Sequence, residues 1–238
     1  MQISSTDGLV TLCPRGILFD MDGVLVSSLG SVERTWEKWA LSREIDPALA
    51  IRTAHGRRAI ETVRLLRPDL NDVKELEWLE AMEVADNIDL QMLHGVAAIL
   101  EALPAKYWTV VTSATDRLAR SRLLHGGVPV PRQIVTADQV AHGKPHPEPY
   151  QKGAAILGLK PAECLVIEDS ASGAKAGHAA GCKVLATLFS HSAEALVDAD
   201  WIVHSLEDVH IQPDGDKLLV RLKPVAVRQT QATEACAR

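Results

Sequence analysis

The sequence predicts an α/β fold: a doubly wound, Rossmann-like parallel sheet with an all-helical domain inserted after its first strand. Three observations predict it. Short β-rich apolar runs recur along the chain, each followed by a polar or glycine-containing loop. Those runs are continuous rather than alternating, as in strands covered on both faces. Helix-like stretches separate them, except over one long segment where helical periodicity stands alone.

The strand candidates, in order, are "GILFD" (16–20), "YWTVVTS" (107–113), "QIVTAD" (133–138), "CLVIEDS" (164–170), "CKVLATL" (182–188) and "DWIVHS" (200–205). Between them lie the helix-like "HGVAAILEAL", "DRLARSRLLHGG", "PYQKGAAILGL", "SGAKAGHAAG" and "SAEALVDA". In the exceptional segment, Val32, Trp36, Trp39 and Ala40 share one helical face. Ile60, Val63 and Leu66 share another, with Pro68 ending that helix. "DVKELEWLEAMEVADNI" makes a third. The Trp36/Trp39 pair reads as core packing within this block. The expected division is a sheet-bearing core over 11–26 and 91–223, a helical domain over 27–90, and a tail, 224–238, with little apolar patterning and expected to fray. "QPDGDKLLVRL" suggests a hairpin or edge strand through its Asp-Gly turn.

With 238 residues and 47% hydrophobic content the chain can bury a full core. A formal net charge of -6 argues against a nucleic-acid or anionic-membrane surface, and leaves a small anionic substrate open. No basic stretch leads into an apolar one at the N-terminus, and no apolar run approaches the ~20 residues of a membrane span. Cys13, Cys164, Cys182 and Cys236 form no CxxC pair, which fits scattered thiols in a reducing compartment. The expectation is a cytoplasmic protein, monomeric by default.

In open parallel sheets, ligands sit beyond the carboxyl ends of the strands. Asp20 and Asp22 follow the first strand, and at i and i+2 both carboxylates leave on one side of extended chain. Thr112, Ser113 and Ala114 end the second, and Glu168, Asp169 and Ser170 end the fourth and lead to Gly173. "HGKPHPEPY" carries prolines at 145, 147 and 149, expected to keep Lys144, His146 and Glu148 out of α geometry and give Lys144 a stiff mount. Each piece alone reads equally as a turn, and Glu168-Asp169 as an ordinary helix start. Together, three acidic groups and a lysine on one rim suit a divalent oxygen-ligated cation, Mg²⁺ foremost, and a phosphate. His142 and His146 have the spacing of a metal pair, but a proline-stiffened loop offers no helical face to align them, so they are expected at the surface or as minor neighbours of the substrate.

"FDMDGVL", "VVTSAT", "GKPHPEPY" and "VIEDSASG" resemble, in order, the four motifs of the haloacid dehalogenase superfamily, and the resemblance runs from Ile17 to about Val209. The helical insert resembles that family's cap domain. A second aspartate two residues after the first implies the phosphatase branch rather than the dehalogenases. "VERTWEKWA", "AHGRRAIETV" and "HGKPHPEPY" are similar, more narrowly, to the 2-deoxyglucose-6-phosphate and glycerol-phosphate phosphatases.

The resemblance implies roles. Asp20 is the expected nucleophile, Asp22 the acid and base, and Lys144 the partner of Asp20 and phosphate. Ser113 and the Ala114 N–H hold phosphoryl oxygens. Asp20, Asp22 (through its carbonyl) and Asp169 hold the metal, with Glu168 beside them. In the cap, Arg58 matches the arginine of the family's His-Gly-x-Arg motif and is a substrate contact or, equally, a solvated helix-start arginine; His55 neighbours it. The activity implied is Mg²⁺-dependent hydrolysis of a small sugar or polyol phosphate, such as 2-deoxyglucose-6-phosphate, glycerol phosphate or a hexitol phosphate. A phosphosugar mutase of the β-phosphoglucomutase type is the alternative, disfavoured by "HGRR" in place of Gly-x-Ser-Arg. A non-catalytic sugar-phosphate sensor is less favoured, since no site residue is missing.

Overall fold

The structure is a computed structural model and describes residues 2–6 and 8–228. The chain opens with β1 (Gln2–Thr6) and β2 (Leu9–Cys13) and then enters β3 (Gly16–Phe19). A short β4 (Val26–Ser27) leads into α1 (Leu29–Leu41), α2 (Pro47–Ala54), α3 (Ala59–Leu66) and α4 (Asp72–Ala85), and β5 (Gln91–Met92) leads out. Next come α5 (Val96–Ala102), β6 (Trp108–Val110), α6 (Asp116–His125), α7 (Glu148–Ile156), β7 (Cys164–Glu168) and α8 (Ala171–Ala180). The described chain closes with β8 (Lys183–Thr187), β9 (Trp201–Val203), β10 (Val209–Asp214), β11 (Lys217–Leu222) and β12 (Ala226–Val227).

The central sheet has the order β12-β9-β8-β7-β3-β6 and is parallel except for the edge strand β12. β3 sits inside it, between β6 and β7, and is buried throughout, which is why its apolar run does not alternate. Its side chains divide between two faces. Ile17 and Phe19 pack with Val96, Ile99 and Leu123 on one side, and Leu18 packs with Tyr150, Ala154 and Ala174 on the other. The Asp20 N–H still bonds the Ile167 carbonyl at 2.9 Å, so the first acidic loop leaves directly from the sheet.

Two expected elements take another form. Residues 133–138 contribute a single parallel bridge, Val111 to Val135, and then turn into a short 3-10 segment (Ala137–Gln139) whose first N–H bonds the Ala114 carbonyl. The segment around 192–199 is a chain of turns. Its N–H groups reach back three residues (Ala195 to Ser192, Leu196 to Ala193, Ala199 to Leu196), so Leu196 and Ala199 bury without a helix.

The hairpin expected near the C-terminus forms, β10 against β11, with Gly215 at φ 63° opening its turn. It lies in a second sheet, β1-β2-β11-β10, rather than on the edge of the first. Leu12, Leu218, Val220 and Leu222 face the same core as Ile17 and Phe19. Of the tail, 224–228 is described and holds β12, paired to β9; 229–238 lies outside the described residues.

The four helices after β4 have a core of their own, with Trp36, Trp39, Ala50, Val63 and Leu79 buried together. The two indoles meet edge to face at 5.2 Å, the packing role expected of them. Trp39 Nε1 donates to Glu75 Oε2 at 2.7 Å, satisfying the buried indole N–H. α2 was not foreseen, although Asp46 at its N-cap and Pro47 at its first turn are start signals. β4 and β5 pair antiparallel where the chain leaves for this block and returns. Cys164 and Cys182 are free and buried. Among the described residues no helix is long and apolar enough to cross a membrane.

Candidate active site

The rim above β3, β6 and β7 gathers the expected groups. Asp20, Glu168 and Asp169 are buried, and each offers a carboxylate oxygen within 4.8 Å of the others. Lys144 reaches them with Nζ 2.7 Å from both Asp20 Oδ1 and Glu168 Oε1, its side chain only 1% exposed. Two glycines allow this crowding. Gly23, at φ 77°, lies where a Cβ would come within 2.0 Å of Asp169 Oδ2. Gly173, in the first turn of α8, lies where one would come within 1.6 Å of Glu168 Oε1.

Glu168 is saturated with donors. Oε1 accepts from Lys144 and from the Tyr150 hydroxyl at 2.7 Å, and Oε2 accepts from the Asp169 and Ser170 N–H groups and from Ser170 Oγ. Burial raises its carboxyl, but Lys144 and these hydrogen bonds outweigh burial and hold it below the ordinary value. The other two acids go the opposite way. Burial pushes Asp20 up to about 7 against the pull of Lys144, and burial with the Glu168 charge raises Asp169 well above its usual range. One ammonium therefore does not balance three carboxylates. An all-oxygen, electron-rich cluster with surplus negative charge is the donor set of a hard divalent cation, and the cluster can hold one.

Asp22 points elsewhere. Its Oδ1 accepts from Ser28 Oγ at 2.6 Å and from Arg122 Nη1 at 2.9 Å, away from the Lys144 cluster. Ser113 Oγ and Ser172 Oγ both donate to the Gly56 carbonyl, at 3.2 and 3.0 Å, so the loop between α2 and α3 sits down on the rim. The Ala114 N–H, an expected phosphoryl donor, is already engaged by Thr112 Oγ1 at 3.1 Å.

Arg58 is not a solvated arginine. Its guanidinium pairs with Glu61 and donates to the Val140 and Ala141 carbonyls, at 2.9 and 3.0 Å, fastening the helical block to the loop that delivers Lys144. His55 lines the same cavity with Nε2 buried and without a hydrogen bond, and burial lowers its pKa. His142 and His146 are exposed, as expected, their rings 4.7 Å apart.

Glu148 needs correction. It is not held out of α geometry but begins α7, where prolines are tolerated in the first turn. Its carboxylate accepts from the Ala141 and His142 N–H groups and closes the loop before Lys144. The Lys144–Pro145 peptide bond is cis.

A cavity of about 290 Å³ opens between this rim and the helices, close to the lower end of the sizes that take a small molecule. Its wall includes Arg122, Glu80 and Glu83, none of which the motifs identified. A signal existed. Arg122 lies on the buried stripe of α6 with Leu118 and Ala119, and Glu83 lies four residues after Leu79 on the buried stripe of α4.

The family model "haloacid dehalogenase-like hydrolase" matches residues 14–181, and the chain belongs to that family. Among curated proteins it is 37% identical to hexitol phosphatase A of Escherichia coli over 86% of this chain and 98% of that one. It is 30% identical to glycerol-1-phosphate phosphohydrolase 2 of Saccharomyces cerevisiae over 85% of this chain and 86% of that one. Among solved structures, β-phosphoglucomutase of Clostridium difficile superposes with a TM-score of 0.70 at 20% identity, covering 80-odd per cent here (81%) and 92% there, a likeness of fold.

Proposed function

We propose that this chain hydrolyses the phosphate monoester of a small sugar or polyol, with Mg²⁺ bound at the acidic rim. The observation that carries this reading is a buried aspartate at a strand end, held by a buried lysine and bordered by two more carboxylates. The relatives' names, hexitol and glycerol-1-phosphate, point to a polyol.

Asp20 and Asp169, with the Asp22 carbonyl, would hold the ion; Glu168, its oxygens occupied, keeps Lys144 in place instead. The bound ion supplies positive charge that offsets the repulsion between Asp20 and an anionic substrate. An Asp20 oxygen attacks phosphorus in line, the ester bond breaks, and an aspartyl-phosphate forms. Lys144 orients that carboxylate and meets the charge that builds on the phosphoryl oxygens. Asp22, near but outside the cluster, gives a proton to the departing alkoxide and later takes one from the attacking water. Ser113 holds a phosphoryl oxygen, and the Ala114 N–H joins it by giving up Thr112. The block 27–90 acts as the cap over a core of 11–26 and 91–223, with Arg58 and His55 on its lower surface.

The test is phosphate release from a panel of phosphorylated sugars and polyols, with and without Mg²⁺. Release from several polyol phosphates in Mg²⁺ alone is expected. Turnover that requires a sugar bisphosphate would indicate a mutase instead.

A further inference from the structure

Beyond the phosphoryl end, the cavity holds a second polar cluster that none of the roles above uses. Arg122 is 3% exposed on α6, and Glu83 is 6% exposed on α4. One guanidinium nitrogen, Nη1, is spoken for by Asp22. The others are not: Nε and Nη2 are buried without a hydrogen bond, and Nη2 stands 3.5 Å from Glu83 Oε1, at ion-pair distance but poorly placed as a hydrogen bond. Glu80, one turn earlier on α4, accepts from Thr115 Oγ1 and from Arg117 Nη1. Arg122, Glu83, Glu80 and Thr115 all line the cavity, as do the apolar Leu29 and Trp36.

A pair serving only to fasten α4 to α6 is expected to close on itself, because a buried guanidinium with idle N–H groups is costly. This one leaves Nε and Nη2 idle, with Arg122 and Glu83 themselves in the wall of a cavity. Vicinal hydroxyls supply what it lacks: each oxygen accepts from an arginine N–H and each O–H donates to a carboxylate. The location fits as well. Arg122 touches Asp22, the residue assigned to the leaving oxygen, so an alcohol extending from that oxygen runs directly to Glu83 and Glu80.

We propose that Arg122, Glu83 and Glu80 form a hydroxyl-reading subsite that selects a linear polyhydroxy phosphate, and that α4 and α6 complete it only when packed together. The inference rests on the phosphatase reading for its substrate class, not for its geometry.

The experiment compares wild type with Glu83→Gln and Glu80→Gln, both near-isosteric and checked for wild-type melting. Steady-state kinetics are measured on a hexitol phosphate and on acetyl phosphate, which has no hydroxyl. The ratio of their kcat/KM values is expected to fall by about 10-fold or more in Glu83→Gln, mainly through KM for the hexitol phosphate. Equal losses on both substrates would show an interface pair that only holds the helices, and a ratio within twofold of wild type would show no role; either overturns the subsite. Calorimetry in an Asp20→Asn background, with hexitol phosphate and with inorganic phosphate, reads the same subsite without turnover. Should wild type release no phosphate from any compound, the function falls, while the calorimetric comparison still decides the subsite: selective loss of hexitol phosphate binding supports it, and unchanged binding, or no binding by the parent, overturns it.

Discussion

Replacing Lys144 by methionine keeps the unbranched stem, one atom shorter, and removes the ammonium that faces Asp20 and Glu168. Nζ is 2.7 Å from both carboxylates and the side chain is 1% exposed, so the pair lies out of bulk solvent. Breaking a buried pair from one side costs about 3–5 kcal/mol, because the charge left behind has no partner. For a chain of this size that is a fall in Tm of about 6–20 °C. The loss depends on pH in a fixed direction. Without Lys144 both carboxyls lose a group that lowers them: Asp20, already raised by burial, rises further above its unfolded value, and Glu168 is released from the pull that holds it below the ordinary one, leaving burial to raise it. A raised folded pKa gives stability that is present at low pH and disappears as pH climbs through it. The gap between wild type and Lys144→Met is therefore widest at pH 8 and narrows toward pH 5. Thermal melts followed by circular dichroism, in chelator, measure it. A variant that melts within a degree of wild type at pH 8, or a gap that widens toward acid, would show that the lysine does not balance this cluster.

Three further outcomes follow from the same geometry. Metal-free wild type is expected to lose stability as pH rises from the ordinary aspartate range through about 7, where buried Asp20 ionises, and added Mg²⁺ to flatten that slope; melts against pH, with and without the ion, check it. Asp22→Asn is expected to lower kcat on a polyol phosphate by about 10²–10⁴ while sparing an aryl phosphate, whose leaving group needs no proton. Equal losses on both would remove Asp22 from the acid role. Gly173→Ala puts a Cβ within 1.6 Å of Glu168 Oε1, so α8 or Glu168 must move. Its Tm and its phosphate release should fall together, and a wild-type Tm would mean that the first turn of α8 is looser than it looks.

Much of the site was legible because its residues follow strands, and strands announce themselves locally. Asp20 and Asp22 come after "GILF", Glu168 and Asp169 after "CLVIE", and each run is buried where expected. Lys144 was legible as a mounted lysine, but not what mounts it. Glu148 ties down the preceding loop and Tyr150 steadies Glu168, and both act through tertiary contacts. β2 pairs locally with β1, but also with β11 some two hundred residues along the chain, and no local pattern encodes that second register. Arg122 and Glu83 belong to no motif; their positions on the buried stripes of α6 and α4 are the signal, and a charge on a helix is more often a solvated one.

The most direct measurement is phosphate release from a polyol phosphate in Mg²⁺ by wild type and by Asp20→Asn, alongside calorimetric binding of the same compound to the variant. The nucleophile assignment predicts steady release by wild type, none by the variant, and substrate binding kept in the variant. Comparable release by both proteins would contradict it.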